Sequence, residues 1–223
     1  VFNTGLNYIG SLGKGQVLYQ YFKYAGIYDD LNIKRMDVDA YERITFEGDE
    51  NEYHYAQGEE RFIDSLAKIF PQEKKALEKY LEELNQLSHS FPIYDLELKP
   101  GNNTLNEYYY TNTYKFLQST TSNEKLRNVL AATNPLYAGI AEKTPLYIHG
   151  IINYSYVKSA WRLIDGSSQV AKLLSIRILE NGGNILKNKK VVKILDSNKK
   201  AYAVKTEDGE LFEAKSIISD IHP

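Results

Sequence analysis

The spacing of apolar residues predicts a mixed succession of helices and strands. Near the N-terminus, apolar side chains recur at intervals of three and four, which is the period of a helix with one buried face. The residues at these intervals are Val17, Leu18, Tyr21, Phe22 and Ala25. Gly26 follows them, and glycine commonly ends a helix. The pattern therefore predicts a short helix that ends at Gly26.

Alternating apolar and polar residues come next, at about residues 33–57. Ile44 and Phe46 alternate with Arg43, Thr45 and Glu47, and the stretch EYHYA alternates again after the acidic turn EGDEN. Such alternation around a turn is typical of antiparallel strands with one face in solvent. We predict a β-hairpin or meander over this region.

Helical periodicity returns in the middle of the chain. GEERFIDSLAKIF and PQEKKALEKYLEELNQLSHSF each carry one apolar face, and Pro71 suits the first turn of the second helix. The stripe of that second helix consists of Leu77, Leu81, Leu84 and Leu87. Further helices are predicted over 105–120, after a capping box formed by Thr121 and Glu124, and after Pro145.

The last third of the chain predicts one helix and then strands. DGSSQVAKLLSIRILENGG is amphipathic and ends in two glycines. KVVKIL, KAYAVKT and ELFEAK read as short strands separated by DSNKK and EDGE turns, and SIIS reads as a final strand. The whole pattern predicts an α+β or α/β fold.

Composition limits the function classes. The net charge is −2, with 25% charged and 43% hydrophobic residues, so nothing indicates nucleic-acid binding. The chain has no cysteine, which excludes disulfides and thiolate chemistry and favours the cytoplasm. The 19 tyrosines suit the walls of pockets and interfaces, or they reflect a compositional bias of the source.

The residues alone predict no catalytic centre. GSLGKG (residues 10–15) is rich in glycine, but its spacing fits neither a dinucleotide fingerprint nor a P-loop. Ser167 or Ser168 is expected to cap a helix rather than to bind an anion. The four histidines are scattered, so no metal site is expected, and His149 is predicted to be a core or pocket histidine.

Three stretches taken in order carry more information than any single motif. They are FNTGLNYIGSLGKGQ, then YAQGEERFIDSLAKIFPQEKKALEKYL, then the C-terminal stretch from DGSSQVAKLL to SIISDIHP. They resemble segments of the phytoene desaturase, carotenoid isomerase and retinol saturase group of FAD-dependent oxidoreductases. The first is similar to F-D-x-G-x-H-Y-I-G-G and the last to a series of G-G, V-x-x-I, D-G and S-N-A-x-P. The similarity covers residues 2–223 and is weaker between about 95 and 143.

The resemblance implies a two-domain fold. Residues 1–13 and 162–223 would be middle portions of a glutathione-reductase-like FAD domain, and residues 14–161 a substrate domain of sheet and helices. In the family a dinucleotide-binding βαβ unit precedes these segments and a second flavin-binding stretch follows them. We therefore expect an internal fragment of a longer enzyme. The parent would bind FAD, whereas this chain alone would bind it poorly and be inactive.

The resemblance also implies particular roles. Gly5 and Leu6 would lie beside the flavin ring, Gly166 near the flavin edge, and the Val191 backbone near the adenine. Tyr8, Tyr147 and Trp161 are expected to line the cavity of an apolar substrate, a polyene or isoprenoid, and the sheet between Ile33 and Tyr55 to form part of it. No catalytic residue is assigned.

Three departures weaken parts of this comparison. Asn3 stands where the family usually has Asp, Asn7 where it often has His, and Asp220 with Ile221 where it has Asn-Ala. The first and third affect positions expected near the cofactor. Asn7 removes a candidate histidine acid or base.

Two other functions remain open from the sequence, a stand-alone module that binds apolar ligands or proteins and a flavin amine oxidase. The parent's substrate would partition into lipid. We therefore expect peripheral membrane contact of a cytoplasmic protein, with the helix over 148–156 as the candidate, although burial of its apolar face competes with that role. Exposed sheet edges are expected to favour a homodimer.

Overall fold

The computed structural model describes residues 8–96 and 104–221. It divides into two compact units, Val1–Leu174 and Ser175–Pro223. The boundary falls within a helix, Ser168–Glu180. The assignment of residues 1–13 and 162–223 to a cofactor domain, and of 14–161 to a substrate domain, stays a prediction.

The first unit contains two small antiparallel sheets. In one, β5 (Ala160–Leu163) lies between β1 (Ile9–Gly10) and β2 (Ile33–Arg35). In the other, β3 (Glu42–Ile44) pairs with β4 (Tyr53–Tyr55), which confirms the predicted hairpin.

The prediction of one continuous meander over 33–57 is wrong, because β2 pairs with β5 rather than with β3. Gln57 explains how the chain leaves one sheet for the other. Its buried side chain donates to the carbonyls of Met36 and Asp37 and accepts from Arg35. These bonds satisfy backbone groups that a strand ladder would otherwise pair.

Helices form the rest of the first unit. They are α1 (Val17–Tyr24), α2 (Glu59–Ala67), α3 (Lys74–Ser90), α4 (Pro92–Asp95), α5 (Thr104–Tyr110), α6 (Thr113–Thr120), α7 (Glu124–Leu130), α8 (Leu146–Lys158) and the start of α9 (Ser168–Glu180). Short 3-10 turns occupy Tyr28–Asp30, Pro71–Glu73 and Asn134–Tyr137. The predicted helices are largely confirmed.

The core of this unit is built around α3. Its predicted leucine stripe is buried, with Leu77, Leu81 and Leu84 in the main cluster. Buried tyrosines complete the cluster. The hydroxyl of Tyr55 donates to the Val129 carbonyl and that of Tyr154 to Glu59, whereas the buried hydroxyl of Tyr41 has no partner among the described residues. A buried hydroxyl without a partner destabilises a fold, so these bonds let tyrosine serve as a core residue.

Two helix boundaries differ from the prediction. The stretch over 105–120 forms two helices because the side chain of Asn112 accepts from the backbone N–H of Lys115 and starts α6 there. Asn123, not Thr121, caps α7, by accepting from the backbone N–H of Leu126. The Thr121 hydroxyl donates instead to Glu73, so a tertiary bond replaces the expected capping box.

The second unit contains the end of α9 and a three-stranded antiparallel sheet in the order β6 (Val191–Ser197), β7 (Lys200–Thr206), β8 (Leu211–Glu213). Asn198 and Lys199 both have positive φ, which matches the twist of a tight hairpin. The stretch at 216–219 is not a strand. No described strand pairs with it, and Ile218 is 98% exposed.

Close packing of β1 against α8 yields the first testable prediction. A Cβ added to Gly10 would lie 2.7 Å from the carbonyl oxygen of Ser155, whereas one added to Gly13 would meet only the flexible side chain of Gln16. We expect Gly10→Ala to lower the free energy of unfolding by about 1–3 kcal/mol, because backbone must move.

Urea unfolding of the two alanine variants measures this difference. Gly13→Ala is the matched control, and we expect it to change the free energy of unfolding by less than about 1 kcal/mol. Equal effects of the two substitutions would show that β1 and α8 do not pack as closely as described.

Candidate functional site

An apolar cavity of about 310 Å³ lies between the start of β1, α1 and α8. This volume is at the lower end of the range typical of small-molecule sites. Its walls come from four parts of the chain, and none of the described wall residues is Asp or Glu. Representative wall residues are Tyr8, Gly10, Val17, Tyr21, Ile151 and Tyr156.

The backbone of Ser11 fixes these three elements relative to one another. Its N–H donates to the carbonyls of Ser155 and Ser159, each at 2.9 Å. Its carbonyl accepts from the N–H groups of Leu18 and Tyr19 at 3.0 and 3.3 Å. Ser11 itself has a φ of 53°, which is uncommon outside glycine. One residue thus links β1, the first turn of α1 and the end of α8.

Tyr8 is an aromatic residue of the cavity wall and directly precedes β1. Its ring lies 4.6 Å from that of Tyr156, and its hydroxyl donates to Glu42 at 2.6 Å. Burial, and secondarily the bond to Glu42, raise the pKa of Tyr8 well above its ordinary value. The hydroxyl therefore stays protonated at physiological pH and acts as a fixed hydrogen-bond donor.

A polar cleft of about 420 Å³ adjoins the apolar cavity. The two share Ser11, Val17 and Tyr94 as lining residues. The cleft is also lined by Lys14, Gln16, Gln20, His89 and Lys158. The predicted glycine-rich stretch GSLGKG therefore has a structural position, since it forms the loop between the cavity and this cleft.

His149 lies in the core, apart from both cavities, as the sequence predicted. It is fully buried, with Nε2 and Nδ1 each 2.8 Å from a tyrosine hydroxyl, Tyr80 and Tyr137 respectively. Tyr137 donates to Asn134, so its oxygen accepts from Nδ1–H, and Tyr80 donates to Nε2. The neutral imidazole is satisfied in this way. Burial lowers the pKa of His149 to about 4.

The structure does not bring the three predicted cavity residues together. Only Tyr8 lines the apolar cavity. Tyr147 packs against Phe91 and Tyr109, with ring centroids 5.7 and 4.8 Å away. Trp161 lies in β5, packs on the cluster of Ile9 and Leu163, and donates through Nε1 to Ser159. Substrate contact by these residues stays a prediction.

Sequence reasoning missed most of the wall. Val17, Leu18 and Tyr21 lie on the apolar face of α1, which was detectable as a stripe, whereas Ile151 and Ser155 lie on α8, which has no one-sided stripe. A stripe indicates a buried face but does not distinguish core from cavity. No periodic pattern marks Tyr94 as part of the same wall.

The predicted cofactor residues are spread over the chain. Gly5 and Leu6 lie outside the described residues. Gly166 has a φ of 102° and precedes α9, where the side chain of Gln169 donates to its carbonyl. Val191 begins β6 in the second unit and is half exposed. Their contacts with a flavin stay predictions.

The described residues offer neither a metal site nor a membrane-spanning helix. Residues 8–96 and 104–221 contain no group of three His, Asp or Glu side chains placed to hold a metal ion. Among the helices in those ranges, none is both long and apolar enough to cross a bilayer.

Comparison with known proteins identifies the family. Residues 1–221 match the flavin containing amine oxidoreductases, and the chain belongs to this family. Within it, the chain is similar to all-trans-retinol 13,14-reductases, which confirms the resemblance to the retinol saturase group. The Homo sapiens protein is 25% identical over 232 residues, covering 93% of this chain and 37% of that protein. The Danio rerio protein is 23% identical over 215 residues, covering 87% and 34%.

The chain thus spans about a third of the length of these relatives. Among solved structures, an oxidoreductase from Methanosarcina mazei superposes with a TM-score of 0.58 at 16% identity. That match covers 96% of this chain and 47% of the other. It supports the mixed α/β fold alone.

The buried histidine predicts how stability depends on pH. The folded state keeps His149 neutral down to about pH 4, whereas the unfolded chain takes up a proton near pH 6.5. The contribution of neutral His149 to the free energy of unfolding is therefore complete above about pH 6.5 and is lost as the pH falls toward 4. The loss is about 3 kcal/mol. Urea unfolding between pH 7 and 4 measures it.

His149→Gln should flatten this pH dependence, since glutamine does not titrate. The control is His54→Gln, at an exposed histidine paired with Glu52. The free energy of unfolding that this variant loses between pH 7 and 4 should agree within about 1 kcal/mol with the loss in the unsubstituted protein. A slope unaffected by His149→Gln would contradict a buried neutral imidazole.

Proposed function

We propose that the protein to which this chain belongs is an FAD-dependent oxidoreductase acting on carbon–carbon double bonds of a long apolar polyene of the retinoid type. The observation that carries this proposal is the apolar cavity between β1, α1 and α8. Tyr8, Ile9 and Gly10, which line it, belong to the N-terminal segment that resembles the flavin-contacting segment of the family. A substrate in this cavity would contact residues that directly follow, in the sequence, those expected beside the flavin.

The chemistry of the wall supports an uncharged substrate. The cavity combines aliphatic and tyrosine side chains, and its described lining contains neither Asp nor Glu. Such a surface stabilises a polyene through apolar contact. The similarity to all-trans-retinol 13,14-reductases supports the same class of substrate.

FAD, when bound, would donate or accept the hydride. Gly166 fits a position beside a flavin, because its positive φ places it in a turn ahead of α9, whose first turn carries no acidic residue. Val191 would hold the adenine through its backbone, and Gly5 and Leu6 would lie beside the ring. This chain's own contribution is the shaped cavity and the protonated Tyr8 hydroxyl, which Glu42 orients.

Amine oxidation is the second candidate. The family description includes amine oxidoreductases, and four of the cavity's wall residues are tyrosines, Tyr8, Tyr21, Tyr94 and Tyr156. Aromatic faces attract ammonium groups. The lack of a carboxylate in the wall favours the polyene over the amine.

The test uses the protein expressed from its complete coding sequence and purified without added cofactor. We expect a flavin absorption spectrum, release of FAD on denaturation, and reoxidation of the anaerobically reduced flavin by all-trans-retinol but not by saturated alcohols. Oxidised enzyme should not be reduced by benzylamine. A colourless protein that takes up no FAD would contradict the proposal, and reduction by amines without reaction of polyenes would support the second candidate.

Filling the cavity should block the reaction. Ile151→Trp adds bulk to the wall formed by α8, so we expect turnover of retinol to fall at least about tenfold while FAD content is unchanged. Ile148→Trp is the matched control, since Ile148 lies on the same helix outside the cavity wall. Equal losses in the two variants would show that the cavity is not the substrate site.

A further inference from the structure

The polar cleft beside the apolar cavity has no role in the proposed hydride transfer. It adjoins the cavity, and the two share Ser11, Val17 and Tyr94 as lining residues. Ser11 and Tyr94 place hydroxyl oxygens 3.4 Å apart at this junction. A single elongated ligand could therefore occupy both spaces, with its apolar part in one and a polar end in the other.

The side chains of the cleft favour a negative end. Its lining includes Lys14 and Lys158, and no carboxylate is among the lining residues that the structure describes. Lys14 makes no ion pair with any residue in the part of the chain that the structure describes. Lys158 lies 3.5 Å from Glu59, but Glu59 also accepts the hydroxyl of Tyr154. The positive charge of the cleft is only partly neutralised, so an anion is attracted to it.

The loop that carries Lys14 is held in place. The Gln16 carboxamide accepts from the N–H of Gly13 and donates to the carbonyl of Lys158. Gln20 donates to the carbonyl of Gly15. These bonds tie both lysine-bearing segments to each other, and a site that is ordered before binding loses less entropy when a ligand binds.

We propose that the cavity and the cleft together bind an amphipathic ligand that has a long apolar body and a terminal carboxylate. The body occupies the cavity toward Tyr8, and the carboxylate lies between Lys14 and Lys158. The inference rests on the proposed function insofar as the cavity is the substrate site, and it adds apolar chains that end in a carboxylate to the ligands of that site.

The test is a fluorescence titration of the protein from its complete coding sequence with cis-parinaric acid, a conjugated polyene carboxylic acid. Its methyl ester is the uncharged comparison. We expect the acid to bind about tenfold or more tightly than the ester, because a charge-assisted bond to lysine is lost in the ester. The double variant Lys14→Gln, Lys158→Gln should bind the acid about tenfold more weakly and the ester unchanged.

Lys23→Gln is the control, since Lys23 lies on α1 but pairs with Asp29 outside the cleft. It should leave both affinities unchanged. Equal affinities for acid and ester, no binding of either, or a double variant that loses the ester as well would overturn the inference.

The outcomes separate the two proposals because the fluorescence of the probe does not depend on flavin. A protein that prefers the acid but contains no FAD would support the acid-ended site and contradict the proposed oxidoreductase. A flavoprotein that reduces retinol yet binds acid and ester equally would contradict the acid-ended site alone.

Discussion

The first unit depends on the crossing of β1 over the end of α8. At this point the chain has room only for the glycine at position 10, and Ser11 adopts a left-handed backbone conformation that L-residues rarely occupy. Four backbone hydrogen bonds to Ser11 compensate that strain, two through its N–H and two through its carbonyl. The two bonds through the N–H reach Ser155 and Ser159, which are far from Ser11 in sequence, so the crossing depends on a tertiary contact.

The cavity is a consequence of this crossing. Ser11 leads from β1, which packs against α8, into α1, and residues of both helices line the space beside it. Tyr8 closes one side of that space and is itself held by Glu42 from the hairpin. The loop from Ser11 to Gln16 then borders the polar cleft. A single backbone feature thus positions an apolar volume, a fixed hydroxyl and two lysines around one potential ligand.

Local patterns were sufficient to predict the elements. The leucines of α3, the glycines after α9 and the Asn198–Lys199 turn each carry their own signal, because helix faces, helix ends and tight turns are specified by neighbouring residues. Pairing could not be predicted in the same way. β2 joins β5 rather than the adjacent hairpin because the buried side chain of Gln57 satisfies the intervening backbone, and periodicity does not report such a tertiary bond.

The candidate site was predictable only in part. Tyr8, Tyr147 and Trp161 were predicted together as cavity lining, but only Tyr8 lines the cavity, and the other two lie in other clusters. The stretch at 216–219 shows that a local pattern alone does not predict a strand. Its short apolar run favours a strand, but a strand needs a partner, and the described residues offer none.

The central claim is that the cavity between β1, α1 and α8 holds the polyene. Photolabelling of the full-length protein with a retinoid that carries a diazirine tests it most directly. The account predicts labelled peptides that contain residues 17–21 and 151–156, with labelling suppressed by excess all-trans-retinol. Labelling confined to other regions, such as the β6–β8 sheet, or labelling that retinol does not suppress, would contradict it.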